Sequence, residues 1–220
     1  MAESKQRQGL YARSLRTPVL YVLAVLCALP FVLLAIPVAL TVALEQRSLR
    51  RVFFLQERVG LRGHPFRLFK FRTMTDQVGN AAHEARIGRF GRILRNTHLD
   101  ELPQLINVLK GDMCLIGPRP EMLSLDAWAA ARIPGFHDRV VIRPGITGQA
   151  QIVQGYAEGG DLEAYVTKLE LDRDYLERVS FVTDLSILVR TALWMARARG
   201  ARSYQNAVEG KSPGASGPRS

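Results

Sequence analysis

The stretch TPVLYVLAVLCALPFVLLAIPVALTVAL, Thr17 to Leu44, contains no charged residue. Its length of about 28 exceeds the roughly 20 residues that a helix needs to cross a bilayer. Two features oppose a plain span. Pro30 and Pro37 lie in its interior, and each removes a helix hydrogen bond and favours a kink. Its flanks are basic on both sides, with Lys5, Arg7, Arg13 and Arg16 before it and Arg47, Arg50 and Arg51 after it. Positive charge prefers the cytoplasm, so symmetric basic flanks fit a segment that enters and leaves by one face. Each arm around Pro30 holds about 13 or 14 residues, roughly 20 Å of helix, enough for one leaflet. The expectation is a re-entrant helix-break-helix over 17–46, with 1–16 a basic leader. Thr41-Val42-Ala43 loosely resembles a signal-peptidase site, but the apolar region is too long and the following arginines oppose export.

The 220 residues allow one ordinary domain beside the membrane segment. Lys+Arg of 30 against Asp+Glu of 20 gives a formal charge of +10, which points to anionic partners. Cys27 and Cys114 form no CxxC or zinc pattern and no disulfide framework. A reducing, cytosol-facing setting is the simpler reading.

Phe53 to Met74 is aromatic and basic around a Gly60–Pro65 turn and reads as a β-hairpin. Thr75–Glu84 reads as a polar loop. Helices are expected over 102–109, stopped at Lys110-Gly111, over 125–131, ended by Pro134-Gly135, and over 161–178. Gly117-Pro118-Arg119-Pro120-Glu121 must be extended, because two prolines exclude a regular helix. Pro144-Gly145 favours a type II turn. Asp184–Arg199 is amphipathic, with Leu185, Leu188, Leu193 and Trp194 on its apolar side and Arg190, Arg197 and Arg199 free to snorkel. It suits either a core-facing helix or one lying on anionic lipid, with Trp194 near the basic end. From Gly200 a polar, Gly- and Ser-containing tail to Ser220 reads as disordered.

Chemistry concentrates at Thr97-His98-Leu99-Asp100-Glu101-Leu102-Pro103-Gln104. Adjacent carboxylates beside Arg86, Arg89, Arg92 and Arg95 suit the grip of a metal-bound anionic phosphate, and a carboxylate can attack phosphorus to form an acyl phosphate. Asp100 also fits a plain N-cap, or a capping box with Thr97. The two readings are compatible, since a helix N-terminus stabilises carboxylates and attracts phosphate. The three-residue spacing of the arginines places them on one helix face. Arg119 between prolines and Arg143 before Pro-Gly are long cations on stiff loops, suited to bidentate phosphate contacts. Lys70-Phe71-Arg72 fits a strand or a nucleotide-facing edge. His64, His83, His98 and His137 show no metal-ligand spacing, and no Walker-type or GxGxxG loop is present.

A series of motifs then carries a resemblance. They are Gln56-Glu57-Arg58-Val59-Gly60, Lys70-Phe71-Arg72-Thr73-Met74, Gly88–Arg95, Leu99–Leu105, Asn107–Met113, Gly117–Glu121 and Arg143–Gly148. In this order the chain resembles the bacterial sugar transferases, the monotopic polyprenyl-phosphate phosphoglycosyltransferases, in their short form. The resemblance covers residues 15–197. It implies an α+β, mostly helical fold: the re-entrant membrane helix, a small hairpin, and a compact cytosolic catalytic domain over 47–199 with interfacial amphipathic helices. It implies transfer of a phosphosugar from a UDP-sugar to polyprenyl (undecaprenyl) phosphate, with release of UMP, as the first membrane step of glycan assembly. Asp100 would be the nucleophile that becomes a covalent phosphosugar, and Glu101, with Asp100, would hold Mg²⁺ together with substrate oxygens. Arg95, Arg119, Arg143, Lys70 and Arg72 become phosphate or nucleotide ligands, with Pro118 and Pro120 shaping the loop. Pro30, Pro37 and Trp194 become membrane residues. His98 stands where a small hydroxyl residue is common, and Gln149 where an apolar or aromatic one is.

The implied location is the bacterial inner membrane with the catalytic domain facing the cytoplasm. Its partners would be anionic inner-leaflet lipids and not nucleic acid, and a homo-oligomer is compatible with the sequence. The competing reading is a non-enzymatic, basic, membrane-bound protein that recruits anionic lipids or glycans. No stretch of the sequence selects the donor sugar or the glycan pathway.

Overall fold

The computed structural model describes residues 10–74, 87–155 and 160–196. The expected loop after Met74, with His83 and Arg86, and the tail from Gly200, with Arg197 and Arg199 before it, lie outside the described residues. A single π-turn, Tyr11–Leu15, runs into α1 (Arg16–Glu45). This helix is long and apolar enough to cross a membrane. It is continuous, with Pro30 and Pro37 inside it, so the two arms expected on either side of Pro30 form one element. A proline removes one backbone hydrogen bond and can kink a helix without ending it, and α1 continues through both positions.

One stripe of α1 is packed and the rest is bare. Leu20 joins Cys114, Ile116, Tyr175 and Ile187, while Ala24 and Ala28 pack on Leu68, Leu105 and Met113. Further along, Val38, Val42 and Ala43 pack on Val52, Phe71 and Leu94. Leu26, Leu29, Leu33, Leu40 and Leu44 remain exposed. The first turn is pinned by buried Arg16, which donates to the Ile116 carbonyl at 2.6 Å and the Tyr175 hydroxyl at 2.8 Å, and pairs with Asp184 at 3.2 Å. Both ends of α1 therefore lie against the same globular unit.

The hairpin is β1 (Phe53–Val59) and β2 (Pro65–Phe71), antiparallel, with Phe53 opposite Phe71 and Val59 opposite Pro65. Next come α2 (Arg89–Thr97), a 3₁₀ turn at Leu99–Glu101, and α3 (Gln104–Lys110), closed by Gly111 in the left-handed region at φ 83°. Asn107 of α3, fully buried, accepts from the Phe69 amide at 3.0 Å and donates to the Arg67 carbonyl at 2.7 Å, fastening α3 to β2.

A second sheet pairs β3 (Cys114–Ile116) in parallel with β4 (Gly145–Thr147). The type II turn expected at Pro144-Gly145 is not formed, because Gly145 does not take the positive φ that such a turn needs at its third residue. Gly145 enters a strand instead, and a Cβ there would lie 2.1 Å from the Gly117 amide nitrogen. Between these strands lie α4 (Leu123–Ala130) and a 3₁₀ segment, Phe136–Val141. The chain continues with α5 (Gln149–Val153), α6 (Leu162–Glu177) and α7 (Phe181–Ala196). Asp161 caps α6 by accepting from the Ala164 amide at 3.0 Å.

The apolar side expected for α7 divides in two. Asp184 and Ile187 are buried, and Leu188 and Trp194 lean inward with them. Val182, Leu185, Val189 and Leu193 are exposed. The fold is mostly helical, with small two-stranded sheets and a long apolar N-terminal helix.

Candidate functional site

The site begins where α2 stops. His98 takes a left-handed backbone, φ 57°, a conformation His adopts more readily than bulky or β-branched residues. It turns the chain into the 3₁₀ turn Leu99–Glu101. Neither capping reading holds. The Thr97 hydroxyl bonds back to the carbonyls of Ile93 and Leu94, at 2.8 and 3.3 Å. The N-cap position of α3 is Pro103, and no side chain caps it.

Asp100 is 9 % exposed, and among the described residues its carboxylate accepts no hydrogen bond. Burial, and then the Glu101 charge, push its pKa up to about 6 against the pull of Lys70, Arg95 and Arg119. Glu101 has the opposite environment. Lys70 Nζ donates to its Oε1 at 2.8 Å, and Arg119 grips both oxygens, Nη2 to Oε1 at 2.6 Å and Nη1 to Oε2 at 3.3 Å. Burial alone would raise the Glu101 carboxyl; the Arg119 and Lys70 charges and hydrogen bonds hold it well below its ordinary value. Two adjacent acids thus differ sharply, one tightly paired and ionised, the other buried and poised.

Of the expected cations, the structure brings Lys70, Arg95 and Arg119 to the dyad. Arg95 donates to Thr73 Oγ1 at 2.8 Å, and Arg89 and Arg92 are exposed. They do not share one face: a three-residue step falls short of the 3.6-residue turn, so Arg89 and Arg95 point about 120° apart. Arg143 donates to the Gly111 carbonyl at 2.9 Å and Arg72 to the Arg51 carbonyl at 3.2 Å. Neither belongs to the ring of charges that acts most strongly on Asp100.

Several residues that hold the site were not assigned from sequence. Arg58 donates to the Pro120 carbonyl at 3.1 Å, and burial, then the nearby Arg119 charge, push it down to about 10. Arg139 donates to the Arg119 carbonyl at 2.7 Å and to Asp172 at 2.9 Å. Glu121 accepts from Lys168 and from the Tyr165 hydroxyl. Burial would raise Glu121, yet Lys168 and Arg139 bring it down to about 2. The Pro118-Arg119-Pro120 loop is thereby clamped from both sides, with both prolines buried. The i,i+4 spacing of Lys168 and Asp172 was the available signal, but it reads as a solvated helix face.

Beside the dyad lies a cavity of about 210 Å³, whose walls include Phe31, Glu101, Leu105, Arg119, Leu188 and Trp194. His98 packs on Trp194 with ring centroids 5.1 Å apart.

Among the described residues no group of three or more His, Cys, Asp or Glu is placed to hold a metal ion. Mg²⁺ needs fewer, since it is usually held by one or two carboxylates with waters and substrate phosphates. The donor set fits an ion of that kind. Among the described residues Asp100 has unbonded oxygens, and Glu101 Oε2 carries only the 3.3 Å bond from Arg119.

Against known proteins, the family described as bacterial sugar transferase matches residues 12–198. The chain is 39% identical over 188 residues to the UDP-N-acetylgalactosamine-undecaprenyl-phosphate N-acetylgalactosaminephosphotransferase of Aeromonas hydrophila, covering 82% of this chain and 44% of the relative. It is 43% identical over 169 residues to the UDP-glucose:undecaprenyl-phosphate glucose-1-phosphate transferase of Caulobacter vibrioides, covering 74% and 61%. It is 34% identical over 181 residues to the exopolysaccharide production protein PSS of Rhizobium leguminosarum bv. phaseoli, covering 77% and 88%. The chain thus spans about half the length of the first two.

Proposed function

The chain belongs to the bacterial sugar transferase family, and from that we propose that it transfers a phosphosugar from a UDP-sugar to a polyprenyl phosphate, releasing UMP. The observation that carries the reading is the asymmetry of the dyad. Asp100 is buried, accepts no hydrogen bond among the described residues, and lies within the fields of Lys70, Arg95 and Arg119. It has the free lone pairs of a nucleophile and the cations that offset repulsion from an anionic phosphate. The names of the relatives supply the donor and acceptor classes.

In this reading an Asp100 oxygen attacks the sugar-bearing phosphorus. The bond from that phosphorus to the bridging oxygen breaks, and UMP leaves. A phosphate oxygen of the acceptor then attacks the same phosphorus, and Asp100 departs as carboxylate. Arg119 and Lys70 neutralise the equatorial oxygens, and Arg58 and Arg139 keep the Arg119 loop in place. Asp100 and Glu101 would hold Mg²⁺, which supplies charge neutralisation on the phosphates. Arg143, fastened to Gly111, contributes to the loop more than to the phosphates.

The membrane topology belongs to the same proposal: α1 enters and leaves the cytoplasmic membrane by its inner face. What supports this is the packing of both ends of α1 on one domain, Arg16 against α6 and α7 and Val42 against Phe71 and Leu94. A straight helix of 30 residues spans roughly 45 Å, which would put one of those ends on the far side. The exposed residues Val182, Leu185, Val189 and Leu193 of α7 suit contact with the inner leaflet.

The test is intact-protein mass after brief incubation with Mg²⁺ and mixed UDP-sugars, without acceptor. A gain equal to one phosphosugar, absent in Asp100→Asn, establishes the covalent step and identifies the donor. No UMP release from any donor, with acceptor present, would favour a non-enzymatic basic membrane protein.

A further inference from the structure

The two acids of the dyad are held in different ways. Lys70 and Arg119 fix the Glu101 carboxylate, whereas the Asp100 carboxylate accepts no hydrogen bond among the described residues. The direction of Asp100 is therefore set by the backbone of the Leu99–Glu101 turn. That turn issues from His98, at φ 57° and ψ 16°, and the His98 carbonyl accepts from the Glu101 amide at 3.1 Å. A residue other than glycine in the left-handed region stores strain, which persists only where the surroundings over-determine it.

Two contacts hold this corner from different elements. Leu99 and Leu102 pack on the cluster of Val42, Phe71 and Leu94. The imidazole of His98 lies on the indole of Trp194, with centroids 5.1 Å apart and planes tilted by 35°. That spacing falls within the range of about 4.5–7 Å for favourable ring pairs. Trp194 comes from the last turn of α7, and α7 is itself anchored. One turn before Trp194, the hydroxyls of Thr191 and Thr147 are hydrogen-bonded at 2.7 Å. Near the start of the helix, buried Asp184 accepts from the Tyr175 hydroxyl at 2.7 Å. Trp194 thus reaches His98 from a helix fastened to β4 and α6.

We propose that Trp194 is a positioning residue for the dyad: by stacking on His98 it holds the left-handed corner and so keeps the direction of the Asp100 carboxylate. This rests on the proposed transferase reaction and deepens it. Trp194 acts through His98 and not on the substrate. Without the indole the corner relaxes, and a misplacement of about 1 Å at a reacting group can cost about a hundredfold in rate. The grip on the donor phosphates, which belongs to Lys70 and Arg119, is left intact.

The test uses the first half-reaction alone, covalent phosphosugar formation on full-length protein in nanodiscs, with Mg²⁺ and UDP-sugars and without acceptor. Trp194→Leu should slow it by about tenfold or more at saturating donor, with the half-saturating donor concentration changed by less than about twofold. Trp194→Phe keeps a ring and should recover most of the rate. His98→Asn is the independent variant, because Asn takes the left-handed backbone readily and only the ring is lost; the same slowing is expected. The double variant should be no slower than the slower single, since both changes remove one contact. A wild-type rate in His98→Asn, or losses that multiply in the double variant, would overturn the proposal. So would a normal adduct rate in Trp194→Leu with a raised KM for polyprenyl phosphate, which would make Trp194 a wall of the acceptor's path alone. If Trp194→Leu does not fold, His98→Asn decides. A wild type that forms no adduct and releases no UMP with any donor removes the transferase reading itself, whereas adduct formation undiminished in the variants removes only this assignment.

Discussion

If Asp100 is the nucleophile, formation of the covalent phosphosugar must follow the ionised fraction of a carboxyl held at about 6. The rate should be flat above pH 7, halved near pH 6 and about tenfold lower at pH 5, since one pH unit below the pKa leaves about one-tenth ionised. The acceptor must be omitted, because a phosphomonoester has its own second pKa near 6 and would hide the effect. Two variants should move the limb in opposite directions. Lys70→Met removes a cation that favours ionised Asp100, so the limb shifts to higher pH. Glu101→Gln removes the neighbouring negative charge and leaves Lys70 and Arg119 facing Asp100, so the limb shifts lower even as the rate falls. The assay is quenched-flow mass spectrometry of the adduct at subsaturating UDP-sugar, which reports the free enzyme. A profile flat from pH 5 to 8, or both variants shifting the same way, would refute the assignment of the ionisation to Asp100.

Three further outcomes follow from the same geometry. Asp100→Asn should be inactive yet more stable at pH 8, by up to about 3 kcal/mol if the full upward shift reports a folding penalty. Because that shift disfavours the ionised form only above the unfolded pKa, the gain should vanish below about pH 4; equal melting temperatures at pH 8 would contradict it. Arg16→Ala leaves Asp184 buried without its cation, a loss of about 3–5 kcal/mol, and Arg16→Ala/Asp184→Asn should recover much of it in detergent melts; no recovery would place the loss elsewhere. Single cysteines at Ser14→Cys and Leu49→Cys should both react with an impermeant maleimide only from the cytoplasmic side, and labelling from opposite sides would remove the one-face topology.

The sequence was legible where a pattern had one physical solution. The charge-free run formed a long apolar helix, although without the break expected at Pro30; the Gly60–Pro65 turn closed the expected hairpin, and Lys110-Gly111 ended α3 as read. It misled where tertiary packing chose between local options. Pro144-Gly145 is a good turn dipeptide, but the close approach of Gly117 and Gly145 makes it a strand entry. Thr97 and Asp100 have capping-box spacing, yet the Thr97 hydroxyl stays within α2. At the site, the dyad, Lys70 and Arg119 were named from the sequence as site residues, whereas the loop's direct partners, Arg58 of β1 and Arg139 of the 3₁₀ segment, and the α6 residues behind them were not. Lys168 and Asp172 look like solvent-facing charges until Glu121 and Arg139 are brought onto them.

The distribution of cations explains why two adjacent acids can do different work. Like charges in one site cannot both ionise cheaply, and the environment decides which acid bears the penalty. Here Lys70 and Arg119 are committed to Glu101, so the penalty falls on Asp100. In the proposed reaction that penalty is relieved when Asp100 bonds to phosphorus, because the buried carboxylate becomes an uncharged acyl oxygen. An interaction that is unfavourable in the free enzyme and released along the reaction path lowers the barrier. Glu101 thus serves catalysis by holding two cations within reach of the incoming phosphates while its neighbour stays unpaired. Replacing Glu101 by Gln disturbs the nucleophile and the phosphate clamp together, whereas replacing Lys70 disturbs the balance of charge while Arg119 still holds Glu101.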